Sequence, residues 1–558
     1  MTPMDYNSIC NEIYEQILLR LERKDRESLR FAPKGTAEAI LQSDVLLQFF
    51  HSLLPPRQPE DNTLRLEITG DTFVKRIEDR RLHKFLAVLI FASCPIEATI
   101  LFVRKLVAQD AWPIISVKGR HLDFLPAHRS DLLDLFDKDG VTVDRVLGKQ
   151  ACFCPVVFHK RDEITVKNPE HYRLPYLEDE VEVGNGSFGR VFRVHIAKGH
   201  FYDPSLGIEY PKSIVLARKD YNVSSEYEVR GQGERDIIQK ILKSNARDCK
   251  NILESFGSIE IGNTYSLLMP FAMCDLRGYM MEHHKSQPST TEAKAKMVLC
   301  AEGLSGGLNF LHTKMQTSDR TEDLVCYHMD LKPSNILVFR DTTHDPEGFI
   351  WKLSDFGMSR VKIRRGRSEV EKDFNTWFKL RNDNPESTPS ATINRRGEGT
   401  YLAPESKLSG PSMKSPSDVW SLGCVLSVLF AYLEEGKAGV ESYQRERNNN
   451  PKADGIDRFF LRAGNFSPAR VHPAISIRHK RLVEAARQRS LEESQIVSHM
   501  LTYLETSVFK LEPKDRNDAA QIQAKLLEIF RRYIELQPPP DRSERDASLS
   551  SWRDRLVR

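Results

Sequence analysis

The most constraining feature of the chain is a polar loop, Tyr327–Val338, with the sequence YHMDLKPSNILV. Within six positions it places an acid, a cation and an amide, Asp330, Lys332 and Asn335. A carboxylate can accept a proton, an ammonium group can stabilise negative charge, and an amide oxygen can hold a hard metal ion. The combination predicts a catalytic loop rather than an ordinary surface turn.

Acidic motifs follow this loop in a fixed order. The stretch Lys352–Gly357, KLSDFG, supplies the carboxylate of Asp355, which can also hold a hard metal ion. GTYLAPE then ends at Glu405, and DVWSLG begins at Asp418. We expect Glu405 to pair with Arg516. We expect Asp418 to lie on a buried helix and brace the loop backbone, with an exposed helix cap as the alternative.

A glycine-rich stretch lies earlier, at Val183–Val191, with the sequence VGNGSFGRV. Glycines let backbone N–H groups approach phosphate oxygens, although the same spacing also occurs in ordinary turns. Lys219 follows in a short apolar run, and Glu234 opens a helical stretch. Glu234 is the acid best placed to pair with Lys219, and several nearby acids compete for that role.

Together these motifs resemble the eukaryotic protein kinase family over roughly Tyr176 to Glu535. The resemblance implies ATP and Mg²⁺ as cofactors, and a Ser/Thr hydroxyl of a protein as the acceptor, because Lys332 follows Asp330 by two positions. It implies that Asp330 accepts the hydroxyl proton and that Lys332 steadies the transferred phosphoryl group.

The remaining roles are carried over in the same way. Lys219 and Glu234 would be catalytic, and Asn335 and Asp355 would hold metal. Nucleotide contacts are implied for residues of the glycine stretch, the lysine strand and the segment joining two lobes: Val183, Gly184, Gly186, Gly189, Val191, Ala217, Lys219, Met269, Phe271 and Ala272.

The implied fold is α+β and bilobal, with a small lobe of antiparallel strands and one helix, a larger helical lobe, and ATP in the cleft between them. We expect residues 1–158 to be a mostly helical N-terminal region, 176–535 the kinase domain, and 536–558 a disordered tail. Apolar periodicity predicts four N-terminal helices, near Asn11–Lys24, Asp71–Arg80, Phe85–Ser93 and Arg129–Phe136.

The chain departs from the family pattern at several places. Met329 stands where many kinases have an arginine that binds an activating phosphate, so we expect no dependence on that contact. The long stretch Asp355–Glu405 predicts a mobile loop that docks acidic substrates, orders on phosphorylation or is a solvated insertion. Insertions at Val194–Ser213 and His312–Tyr327 predict surface loops. Residues around Cys326 are also similar to kinase-domain proteins of filamentous fungi.

Composition narrows the cellular setting. With 81 basic and 78 acidic residues the chain has no strong field for nucleic acid or anionic membrane, so neither is expected as a partner. Nine scattered cysteines without a C-x-x-C pair are predicted to be reduced. Pro95 divides the apolar stretch Phe85–Val103 into pieces too short to span a membrane. We therefore expect an intracellular protein, cytoplasmic or nuclear.

Two functions remain open from the sequence. The first is an active serine/threonine kinase; the alternative is an ATP-binding pseudokinase-like scaffold with little turnover, suggested by Met329 and the insertions. The N-terminal helices would bind a partner, autoinhibit the kinase or extend its core.

Overall fold

The structure is a computed structural model. It describes residues 5–53, 70–108, 125–186, 189–204, 208–209, 212–222, 241, 244–341, 348–364, 399–407, 414–449, 457–461 and 468–537. Two compact units are present, one of residues 1–223 and 256–269 and the other of 224–255 and 270–558. Glu234, the Ser/Thr/Pro-rich residues 385–392 and almost all of the predicted tail lie outside the described residues.

The first unit begins with short helices around an apolar core. In α1, Ile9, Ile13 and Ile17 are buried on one face, and the Asp5 carboxylate caps the first turn. The predicted helices are present, with ends shifted by a few residues. The described helices are α1 (Tyr6–Arg20), α2 (Thr36–Ile40), α3 (Ser43–Leu53), α4 (Gly70–Asp79), α5 (His83–Phe91), α6 (Ile96–Phe102), α7 (Arg129–Leu135) and α8 (Gly140–Gln150).

The apolar stretch around Pro95 forms two helices, as predicted. Every residue of α5 except Lys84 is buried, and α6 begins directly after Pro95, whose extended backbone precedes it. Proline cannot continue a helix from its N-terminal side without losing a hydrogen bond, so the two helices are separate packing elements. They form part of the N-terminal core.

A six-stranded sheet follows in the same unit, in the order β2-β8-β9-β7-β4-β3. Its strands are β2 (Glu163–Val166), β3 (Val181–Gly186), β4 (Gly189–Ile196), β7 (Ile214–Asn222), β8 (Gly257–Ile261) and β9 (Thr264–Pro270). Strands β3, β4 and β7 are antiparallel neighbours, but β2 pairs in parallel with β8. The sheet is therefore mixed, and its parallel pair includes β2, a strand that precedes the predicted kinase domain 176–535.

The insertion after Val194 is only partly a surface loop. Phe201–Asp203 forms β5, which pairs in parallel with β1 (Phe158–His159) and antiparallel with β6 (Ile208–Glu209). His200 and Phe201 are almost completely buried. The prediction of a surface loop was wrong here because the apolar residues of the insertion pack against the chain that precedes the sheet.

The second unit is mainly helical. Its helices are α9 (Leu276–Gly278), which continues into a π-helical turn at Tyr279–His283, α10 (Thr291–Thr313), α11 (Ser415–Asn448), α12 (Pro473–Arg487), α13 (Leu491–Tyr503) and α14 (Ala519–Glu535). Its strands are β10 (Cys274–Asp275), β11 (Asp323–Tyr327), β12 (Ile336–Arg340), β13 (Phe349–Leu353), β14 (Arg360–Arg364), β15 (Phe460–Leu461) and β16 (Arg470–Val471). One apolar core joins these helices.

Helix α11 is the one described helix that is long and apolar enough to cross a membrane by length and composition. Its most apolar window is 94% buried within the protein, as expected for the central helix of a core. The helix is broken at Gly436, where φ is 63°. A Cβ atom there would lie 2.7 Å from the Lys285 carbonyl oxygen, so the close approach requires glycine.

Candidate active site

The polar loop joins β11 to β12 in the second unit, and its three chemical groups are in direct contact. Lys332 Nζ lies 2.8 Å from Asp330 Oδ2, and Asn335 Nδ2 donates to the same oxygen at 2.9 Å. Asn335 Nδ2 also donates to the Asp330 carbonyl oxygen at 2.8 Å. Neither of the two side-chain bonds uses Asp330 Oδ1. The carboxylate is thus oriented through one oxygen, and the Asp330 side chain is only 19% exposed.

Asp418 at the start of α11 fixes the backbone of this loop. Its Oδ2 accepts the His328 N–H at 2.8 Å and its Oδ1 accepts the Met329 N–H at 2.7 Å. His312 Nε2 lies 2.9 Å from Oδ2, and the carboxylate is buried. The prediction that Asp418 braces the loop is confirmed, and the alternative of an exposed cap is wrong. Two amide groups donating to one buried carboxylate make strong, charge-assisted bonds.

Met329 occupies a strained backbone position with φ of 65°. A non-glycine residue in this region costs about 1–3 kcal/mol, which the bond from its N–H to Asp418 offsets. The Met329 side chain packs with Val325 and Tyr327 in a small buried apolar cluster. At this position, where the resemblance implies an arginine in many kinases, the side chain of Met329 instead makes buried apolar contacts.

The acidic motif after β13 meets the same loop. Ser354 Oγ donates to the Asn335 carbonyl oxygen at 2.9 Å, and His328 Nε2 lies 2.9 Å from the Ser354 carbonyl oxygen. The ring of Phe356 packs on His328 at 5.2 Å. Asp355 lies between these contacts and has φ of 59°, a second strained position. The segment that carries Asp355 is thus fastened to the loop that carries Asp330.

The start of the long stretch after Asp355 is ordered. β14 pairs along its whole length with β11, and Arg364 Nη2 donates to the His312 carbonyl oxygen at 2.7 Å. The prediction of a mobile loop was therefore wrong for residues 360–364, because this strand forms a two-stranded antiparallel sheet with β11. Residues 365–398 lie outside the described chain.

Glu405 and Arg516 form the predicted buried pair. Arg516 Nη1 and Nη2 lie 2.7 and 2.8 Å from the two carboxylate oxygens, and Ser417 Oγ adds a third bond. Burial alone would raise the pKa of Glu405, but the hydrogen bonds and charge of Arg516 lower it below its usual range. The pair fastens the motif that ends at Glu405 to the segment before α14.

The glycine-rich stretch forms the β3–β4 hairpin of the first unit. Gly184 lies at an irregularity in the pairing, and Gly189 has φ of 151°. A Cβ atom on Gly189 would lie 2.2 Å from the Asp220 carbonyl oxygen, whereas one on Gly184 would meet only Val191 at 3.8 Å. Close approach to β7 therefore requires glycine at position 189.

Lys219 lies on β7, directly opposite Val191 in the pairing, and its side chain is buried. Nζ lies 5.1 Å from the centre of the Tyr221 ring. Ala217 is buried in the same strand, and Val183 is 49% exposed. Met269 ends the first unit in β9, and Phe271 and Ala272 begin the second, all three half-buried. The structure describes the backbone of Gly186 but not Glu234.

Sequence reasoning missed Arg218, the neighbour of Lys219. Its guanidinium makes two bonds to Glu180, at 2.7 and 2.8 Å, and two to Asp220, both at 2.8 Å. Ser266 Oγ also donates to Asp220. The signal available in the sequence was the run of three charged residues, Arg218 to Asp220, in a strand that begins with four apolar residues.

The donor set fits magnesium. Asp355 offers a carboxylate, and Asn335 directs both amide hydrogens at Asp330, so its amide oxygen faces away from that residue. Carboxylate and amide oxygens are ligands that Mg²⁺ prefers.

An oriented carboxylate beside an ammonium group, followed by metal-type oxygen donors, is the arrangement expected at a phosphoryl-transfer site. The family model described as "Protein kinase domain" matches residues 177–526. Because this match covers more than half of the chain, the protein belongs to the protein kinase domain family.

Curated relatives agree with this family at low identity. The probable serine/threonine-protein kinase PBL6 of Arabidopsis thaliana is 25% identical over 299 residues, covering 52% of this chain and 55% of the relative. Cyclin-dependent kinase 9-B of Xenopus laevis is 24% identical, covering 50% and 64%. Cyclin-dependent kinase E-1 of Arabidopsis thaliana is 25% identical, covering 51% and 50%. The matches thus span between 50% and 64% of the length of these relatives.

Proposed function

We propose that the chain transfers the γ-phosphate of ATP to serine or threonine hydroxyls of protein substrates. The observation that carries this proposal is the orientation of Asp330, whose Oδ2 is held by Lys332 and Asn335 while neither bond involves Oδ1. A carboxylate fixed in this way can accept a proton from a hydroxyl that approaches Oδ1. The kinase names of the relatives support serine and threonine as acceptors.

In the proposed reaction the substrate oxygen bonds to the γ-phosphorus, and the bond from that phosphorus to the β–γ bridging oxygen breaks. ADP leaves, and the hydroxyl proton passes to Asp330. Lys332 places positive charge beside the transferred group. Asn335 and Asp355 would hold Mg²⁺, which neutralises phosphate charge when bound. Lys219 would hold the α- and β-phosphates, with Glu234 as its partner.

Finer features of the architecture belong to the same proposal. The six-stranded sheet would be the small lobe and helices α10 to α14 the large lobe of a bilobal kinase. The proposed domains are an N-terminal region, 1–158, a kinase domain, 176–535, and a tail, 536–558. An intracellular location is supported by the cysteines: all nine lie in the described residues and none forms a disulfide.

The test is transfer of labelled phosphate from ATP with Mg²⁺ to a generic protein substrate. Asp330→Asn is expected to lower the rate by about 10²–10⁴, since it removes the proton acceptor. Lys219→Met is expected to abolish most transfer as well. The matched controls are Asp323→Asn and Lys198→Met, which change the same groups at exposed positions. ATP binding without transfer by the native chain would favour the scaffold instead.

A further inference from the structure

The segment between α1 and α2, residues 22–34, which we call the clasp, folds back on itself through a pair of backbone hydrogen bonds. Glu22 N–H donates to the Phe31 carbonyl oxygen at 2.9 Å, and Phe31 N–H donates back to Glu22 at 3.3 Å. Phe31 is completely buried and packs edge-on against His200 at 5.9 Å. The clasp therefore lies in the N-terminal region, and its residue Phe31 contacts His200 of the insertion after β4.

His200, from the insertion after β4, receives the clasp. Lys34 N–H donates to His200 Nε2 at 2.9 Å, so this nitrogen carries a lone pair. The proton of the neutral ring is then on Nδ1, which donates to the Val156 carbonyl oxygen at 3.1 Å. Both ring nitrogens are therefore hydrogen-bonded. Through them His200 connects Lys34 of the clasp with Val156, just before β1.

A second contact of the clasp lies two residues before β3, at Asp179. Arg23 Nη2 lies 2.6 Å from Asp179 Oδ1, and Arg26 Nη2 lies 2.9 Å from Oδ2. Asp25 holds the Arg23 guanidinium from the other side at 3.1 and 3.2 Å. The Arg23 side chain is 7% exposed, and Asp25 and Asp179 both hold its guanidinium.

Glu180, the residue after Asp179, binds a residue of the sheet. Glu180 makes two bonds to Arg218, which precedes Lys219 on β7. Adjacent carboxylates at 179 and 180 therefore connect the clasp on one side with the lysine strand on the other. The residues between them and the glycines are Val181 to Val183 of β3.

We propose that Arg23 and Asp179 are positioning residues for nucleotide binding. The clasp fixes where β3 begins, and through Glu180 and Arg218 it fixes the register of the glycine backbone against Lys219. The N-terminal region then extends the kinase core. This inference rests on the proposed function, since it assigns β3 and β7 to the nucleotide.

The experiment compares Arg23→Gln, Asp179→Asn and the double variant in the full chain. The control Arg129→Gln removes a guanidinium from an exposed pair with Asp144 in the same region. Dissociation constants for ATP are measured directly, alongside KM for ATP, kcat, KM for the protein substrate and thermal unfolding. Each single variant is expected to weaken ATP binding about twofold to fivefold, the range for an ion pair with one exposed partner.

The double variant is expected to bind ATP no more weakly than Asp179→Asn alone, because that single change already removes the contacts of Asp179 with both Arg23 and Arg26. Substrate KM should not change. ATP affinities equal to that of Arg129→Gln would overturn the inference, as would a lowered unfolding temperature with unchanged ATP affinity. A native chain that binds ATP without transfer would refute the proposed function while leaving this test intact; a native chain that binds no ATP would refute both.

Discussion

Replacing Asp418 with asparagine tests whether one buried carboxylate holds the catalytic loop. Asparagine has nearly the same shape, but one of its two terminal groups is an amide that donates rather than accepts. It therefore faces the N–H of either His328 or Met329 with another donor. Losing one charge-assisted bond costs about 1.5–3 kcal/mol, and leaving one buried N–H unpaired costs about 1–3 kcal/mol. We expect the free energy of unfolding to fall by about 2.5–6 kcal/mol.

Asp418→Asn should lower kcat by a larger factor than it lowers the affinity for ATP. Without its bond to Asp418, Met329 has less to offset its strained backbone, and Asp330 follows it directly in the chain. Displacement of a reacting group by about 1 Å can lower a rate by about 10²-fold. The assay measures kcat and ATP affinity for Asp418→Asn beside the exposed control Asp323→Asn. Unchanged kcat in a folded variant would show that the loop keeps its geometry without this carboxylate.

Three further predictions follow from single contacts. Gly189→Ala should raise KM for ATP by about tenfold because its Cβ overlaps the neighbouring strand, whereas Gly184→Ala should have little effect; equal effects would contradict this. Glu405→Gln should destabilise the fold by about 3–5 kcal/mol at neutral pH, because Arg516 loses its buried partner. Since the folded pKa of Glu405 lies below its unfolded value, its stabilisation is complete above about pH 4.5 and is lost as pH falls further; unfolding curves of both proteins should converge in acid. Met329→Leu should change neither kcat nor its response to phosphatase treatment, because both side chains are apolar and neither can bind phosphate; an altered response would show that Met329 takes part in control by phosphate.

The motifs predicted the second unit well because their chemistry is local. Asp330, Lys332 and Asn335 lie within six positions of the sequence, so they are close in any fold, and their side chains are in contact. Asp418 and Glu405 were also predictable, although their partners are distant, because each belongs to an ordered series of motifs. Their bonds to His328 and Arg516 are present in the structure.

The edges of the sheet were harder to predict. β2 is a short strand, and its partner β8 lies almost a hundred residues later, so no local pattern specifies the parallel pairing. The insertion after β4 was misread for the same reason. His200 and Phe201 look like residues of a loop in the sequence, but Phe201 pairs with Phe158 of β1 and Phe31 packs against His200.

The contacts of the clasp were also beyond the reach of sequence patterns. Arg23 and Asp179 are separated by 156 positions, and each has the appearance of an ordinary surface charge in the sequence. The bond from the Lys34 N–H to His200 links the same N-terminal segment to the insertion after β4. If the position of β3 depends on contacts between residues so far apart in the sequence, removing the N-terminal region removes the contact that Arg23 makes with Asp179. Loss of ATP affinity after that deletion would then reflect a missing part of the kinase core, and a rise in transfer rate would contradict this reasoning by showing inhibition.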